Sequence, residues 1–157
     1  MVMNSLKPYI FWFGFEDNID NQDIHFYQTI ILASSKQDAS AWGNKLADKL
    51  IENGDAKRIQ SSWVEDVIPL IITENGLVSI NWEAISRPEI ELYYQGTASS
   101  RDKSCNNINA FISTKDEKSA KHLWQSYLSE KLPHFKFETC CKPSISITKF
   151  GVDVDWL

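Results

Sequence analysis

The residues of this chain that could do chemistry are few and scattered. Cys105, Cys140 and Cys141, with His122 and His134, are the material for a nucleophile pair. A thiol becomes a strong nucleophile when a neighbouring base takes its proton. No spacing brings Cys105 or Cys140 to either histidine, and Cys141 follows the apolar alternation of a strand. Structural thiols are the preferred reading. An odd cysteine count with an adjacent pair and no CxxC excludes a disulfide framework and suits a reducing compartment.

Metal chemistry would need converging hard or borderline ligands. Asp23-x-His25 and Asp153-x-Asp155 each put two such groups on one face of an extended segment. Asp17, Asp20 and Asp23 recur every third residue, but the loop glycine and closing glutamate of a calcium loop are missing. HExxH and cysteine pairs are missing too. Neither a metal nor a cofactor is expected. Residues 96–107 (GTASSRDKSCNN) combine glycine, serines, Arg101 and Lys103 as a phosphate cradle would. They match neither GxxxxGK[ST] nor GxGxxG, and no helix follows directly, so a plain hairpin loop is expected. Tyr27, Trp63, Tyr93 and Tyr94 are candidates to line a ligand groove, against the commoner role of strand aromatics in packing on a sheet.

Charge narrows the partner. The chain of 157 residues carries a net charge of −5 with a pI near 5.2. Nucleic-acid binders cluster a Lys/Arg surplus and interleave it with aromatics, and no run here does so. Residues 1–78 hold 6 basic and 11 acidic side chains, whereas residues 79–157 hold 10 of each. Within the first half, the segment EDNIDNQD carries Glu16, Asp17, Asp20 and Asp23 and no base. These four are the candidate binding residues, and the partner they suit is a protein with a basic surface.

The elements that must position these residues follow from hydrophobic period. Tyr9 to Phe15 (YIFWFGF) is apolar on both faces, as a central strand is. It is too short for a membrane span and lacks a cleavage site after it, so a cytoplasmic protein without membrane attachment is expected. Ile24 to Ala33 alternates as a second strand. Ser34 or Ser35 caps a helix with Asp38 in its first turn, and Asn53-Gly54 stops it. Its stripe is Ala39, Trp42, Leu46 and Leu50. Arg58 to Val64 is the return strand. Val67 to Trp82 reads as extended structure around Pro69 and the turn Glu74-Asn75-Gly76. The competing helix from Ser62-x-x-Glu65 would carry Pro69 too deep.

Glu89 to Gln95 then reads as a strand and residues 96–107 as a polar loop. Ile108 to Ile112 is the next strand. A capping box, Thr114-x-x-Glu117, opens a helix with the stripe Ala120, Leu123, Trp124, Tyr127, Leu128 and Leu132, which Pro133 ends. Phe135 to Cys141 and Ile145 to Phe150 are the last strands. Strand, connection, strand, capped helix and strand thus occur twice, over residues 8–66 and 89–141. Trp42, Leu46 and Leu50 match Trp124, Leu128 and Leu132 at an offset of 82. The expected fold is one α+β domain over residues 1–157. It is a two-layer sandwich, mostly antiparallel, with two helices on one face, built from two ferredoxin-like ββαβ repeats. Trp42 and Trp124 should both be core anchors.

With no catalytic constellation, the leading expectation is a non-enzymatic, monomeric protein-binding module of inhibitor or immunity type. The alternatives are a small-molecule sensor that binds a ligand between the repeats, and a carboxylate- or metal-dependent hydrolase.

Overall fold

The computed structural model describes residues 6–16, 24–54, 58–102, 106–143 and 145–149. The elements are β1 (Lys7–Glu16), β2 (Ile24–Ala33), α1 (Lys36–Glu52), β3 (Arg58–Val67), β4 (Ile71–Thr73), β5 (Gly76–Val78), α2 (Arg87–Ile90), β6 (Tyr94–Ser100), β7 (Asn107–Ser113), α3 (Glu117–Lys131), β8 (Phe135–Cys141) and β9 (Ser146–Lys149). The fold is mixed α+β. Internal contacts divide it into two compact units, residues 1–64 with 145–157, and residues 65–144.

In the first unit β1 is central, between β2 and β3, and β9 lies parallel on the outer edge of β2. β1 and β2 pair antiparallel along their whole length, from Lys7↔Ala33 to Glu16↔Ile24. The doubly apolar β1 sequence needs cover on both faces, and Ile10 and Phe11, which point to opposite faces, are both buried. Helix α1 starts where Ser35 Oγ accepts the Asp38 backbone N–H at 3.1 Å. Its end is marked by Gly54 at φ +79°, a conformation that favours glycine. Ala39, Gly43, Leu46, Ala47 and Leu50 pack on Phe11, Phe13, Phe15, Ile31 and Ala33. A Cβ on Gly43 would lie 2.1 Å from the Phe11 ring, so the glycine sets how closely helix and sheet approach. Trp42 is partly buried and packs against this same core, within the expected stripe.

In the second unit β6 is central, antiparallel to β7 on one side and β8 on the other. The far edge of β7 pairs parallel first with β3, at Asp66↔Ile108 and Val67↔Asn109, then with β4, at Ile72↔Ile112 and Thr73↔Ser113. Pro69 interrupts this edge, since it has no N–H to give. Its carbonyl instead accepts the Trp82 indole N–H at 2.7 Å. The chain is extended here, as expected, rather than helical. β4 and β5 form the expected hairpin, with Gly76 at φ +117°. Helix α3 buries Ala120, Trp124 and Leu128.

Three local expectations are corrected. Glu89 to Gln95 is not a strand at its start. Ser86 caps a helical turn through Glu89 N–H, with Pro88 early in the turn, so Ile90 is buried while Leu92 stays 70% exposed. Residues 96–100 are not loop but the body of β6. Their polar side chains pair across to β8, Thr97 with Thr139 at 2.6 Å and Ser99 with Glu138 at 2.5 Å. The α3 cap is Asp116, which accepts Ser119 N–H at 2.7 Å, while Thr114 donates to Glu74 at 2.7 Å.

The order strand–strand–helix–strand does occur twice, as β1-β2-α1-β3 and β6-β7-α3-β8, each with its first strand central. The caps Ser35 and Asp116 are 81 residues apart, so the helices correspond at 81 rather than 82. That register sets Gly43 against Trp124. The long ladders are antiparallel, but β2–β9, β3–β7 and β4–β7 are parallel, so the pairing is mixed. Among the described residues, no helix is long and apolar enough to cross a membrane.

Candidate functional site

Of the four candidate acids, Glu16 ends β1 opposite Ile24. Asp17, Asp20 and Asp23 lie outside the described residues, as do Lys103, Cys105, Asp153 and Asp155. Burial, with Cys141 and Glu117 nearby, pushes the Cys140 thiol up to about 12. A thiol so hard to ionise supplies no nucleophile at neutral pH. Cys141 is exposed. His122 lies exposed on α3, and His134 packs against Phe135 with ring centroids 4.6 Å apart. Among the described residues, no three His, Cys, Asp or Glu side chains gather as a metal site would require. Gly96, part of the possible phosphate loop, faces the Trp124 ring from within a strand.

The distinctive surface is aromatic and lies on the first unit. Even-numbered residues of β1 face away from α1. Trp12 on this face stacks on Trp63 of β3, with centroids 5.8 Å apart and planes 13° apart. Phe26 of β2, opposite Gly14 in the ladder, meets the Trp63 ring edge-on at 6.4 Å. Gly14 makes room for it, since a Cβ there would come within 2.9 Å of the Phe26 ring and 2.7 Å of Ser61 Oγ. Three rings from three strands thus form one ladder. Burial falls along the face from Ile10 and Ile30, fully covered, to Trp63, 38% exposed, and Phe26, 58% exposed. The exposed end is the one from which β1 and β2 lead into residues 17–23.

A second constellation is buried in the other unit. Asn107 and Asn109 donate to the two oxygens of Glu65 at 2.7 and 3.0 Å. Asn109 also donates to the Asp66 carbonyl at 3.2 Å and accepts from Gln95 at 3.4 Å. Glu65, Gln95 and Asn109 are all buried. The amides satisfy a carboxylate that would otherwise be costly to bury. With both oxygens held by amides, it reads as a specificity device of the fold rather than a reacting group.

Sequence reasoning named Trp63 but missed Trp12, Phe26 and the polar chain. The signal for the last was present: Asn107-x-Asn109 puts two amides on one face of an otherwise apolar strand. Divided by compact unit, charge is −3 for residues 1–64 with 145–157 and −2 for residues 65–144. The acidic surplus is therefore not a property of one unit, and its concentration is local to residues 16–23. No protein-family model matches the chain, and neither a curated protein nor a solved structure matches it.

Proposed function

We propose that the chain is a non-enzymatic protein-binding module, of inhibitor or immunity type, that docks a basic protein on the aromatic face of its first unit. The observation that carries this reading is the Trp12–Trp63–Phe26 ladder, exposed at the end of the sheet that leads into four acids without a base. Exposed aromatics are the usual anchors of protein interfaces. They also attract Arg and Lys through their ring faces. Acids beside them raise the encounter rate with a positive surface and select against acidic partners. The module acts as a monomer in the cytoplasm, where its free thiols remain reduced. Its two ββαβ stretches are ferredoxin-like repeats of a two-layer sandwich, a reading supported by the twice-occurring central first strand.

Capture from host extract, followed by direct titration of the captured protein, tests the reading. Wild type is compared with Phe26→Ser, Trp63→Ser and the combined Asp17→Asn, Asp20→Asn, Asp23→Asn variant. A basic partner is expected, with affinity lowered roughly tenfold or more by the ring changes. Association slowed by salt and by the Asn variant is expected as well. Capture of nothing, or binding indifferent to all these changes, overturns it.

A further inference from the structure

We infer that a cleft on the second unit is a binding site for a small organic cation, an alkylamine or alkylguanidinium. The cleft lies between the β4–β5 hairpin, the segment that follows it, α2 and the end of β7. Its volume is about 310 Å³, the size class of small-ligand pockets. Thr73, Ser79, Asn81, Tyr93 and Ser113 line it with hydrogen-bonding groups, and Glu89 adds a carboxylate. Ile71 and Val78 give it an apolar wall.

The charge pattern selects the ligand. No Lys, Arg or His is among the lining residues. The nearest base in sequence, Arg87, is turned to Glu91, four residues on, at 3.2 Å. Residues two apart on a helical turn do not face each other, so Glu89 is left to the cleft. Among the described residues, Glu89 has no ion-pair partner. Burial, and then the Glu89 carboxylate, hold the Tyr93 phenol above its ordinary value, so it stays neutral and keeps its proton. A cation seated here meets the Glu89 carboxylate and the Tyr93 ring together, the pairing that favours ammonium and guanidinium groups. Its methylenes would lie on Ile71 and Val78, and its spare N–H groups would face the serine hydroxyls. An anion would meet Glu89 with no base among the lining residues to offset the repulsion.

The probe is agmatine, titrated into the full chain and followed by backbone amide NMR, with propionate as the anionic control. Saturable shifts at residues 71–81, 89–93 and 113 are expected with agmatine and not with propionate. Glu89→Gln should weaken binding roughly tenfold or more, since it removes a charge-assisted contact from a side chain exposed enough to leave the fold intact. Tyr93→Ala should weaken it too. Phe26→Ser and Trp63→Ser should leave it unchanged, which separates this site from the aromatic docking face. The inference is overturned if agmatine gives no saturable shifts, if propionate shifts the same residues, or if Glu89→Gln binds as wild type does.

Discussion

Gly96 lies beneath the indole of Trp124, where a Cβ would stand 2.8 Å from the ring. The same indole donates from Nε1 to the Thr97 carbonyl at 3.0 Å. The β6–β8 register shifts between Thr97 and Ala98, where β8 holds one extra residue, Glu138. One tryptophan therefore fills the space over a glycine and donates to the carbonyl of the next residue in the strand. Gly43 and Phe11 make the reversed arrangement in the first unit, with the glycine on the helix and the ring on the strand.

Alanine at either glycine should overpack its site. Gly96→Ala should cost about 1–3 kcal/mol, and Gly43→Ala at least as much, because its Cβ would meet Phe11 more closely. Urea unfolding measures both. Phe11→Leu should recover part of the Gly43→Ala loss, a coupling that a double-mutant cycle would detect. Additive losses would show that the two residues do not limit each other.

The two helix tryptophans, Trp42 and Trp124, should differ in weight. Trp124→Ala should cost about 3–5 kcal/mol, as for a large aromatic lost from a core. Trp124→Phe should cost about 1–3 kcal/mol, mostly because the Thr97 carbonyl loses its donor. Trp42→Ala should cost only about 1–2 kcal/mol, since its ring keeps part of its area in water. Equal losses at Trp42 and Trp124 would contradict the burial difference.

The buried amide chain should be sensitive to charge. Asn109→Leu takes one donor from Glu65 and an acceptor from Gln95, and should cost about 1–3 kcal/mol. Asn109→Asp instead sets a carboxylate against Glu65. It should be less stable than Asn109→Leu at neutral pH and regain stability as pH falls, because protonating the introduced carboxyl removes the repulsion. Thermal unfolding across the carboxylate range checks the sign.

The adjacent cysteines should react differently. At neutral pH a thiol-alkylating reagent should label Cys141 in the folded protein and leave Cys140 unlabelled until unfolding, as read by peptide mass spectrometry. The folded Cys140 thiol holds its proton up to about 12, above its ordinary 9.0. Between those values the unfolded chain binds fewer protons than the folded one, so stability should fall as pH rises through that window. Cys140→Ala should remove this slope, and a slope unchanged in that variant would assign it elsewhere.

The cap of α3 gives the opposite sign. The backbone and side-chain hydrogen bonds that link Asp116 and Ser119 hold the Asp116 carboxyl below its ordinary 3.8. A depressed folded value gives stability that is present above the unfolded pKa and lost as pH falls through the folded one. Asp116→Asn keeps a capping oxygen without the charge, so its acid unfolding should be less steep than that of wild type. Identical acid limbs would mean the cap ionisation carries no weight.

The sequence by itself determined the elements whose signal is local. Strands β1, β2, β3, β7, β8 and β9, helices α1 and α3 and the Gly76 hairpin all came from hydrophobic period, caps and turn chemistry, which act within a few residues. Tertiary structure decided the rest. The residues GTASS look like loop because Thr97 and Ser99 find their side-chain partners on β8, some forty positions later. EIEL alternates like a strand, but the capping pair Ser86 and Glu89 with Pro88 turned it into a helical turn. Thr114 and Asp116 both have capping chemistry, and Thr114 was drawn away by Glu74 across the sheet. At the candidate site, the sequence supplied the four acids and the aromatic residue types. Only strand pairing brought Trp12, Phe26 and Trp63 into one ladder, because which side chains share a sheet face depends on registers between strands distant in sequence.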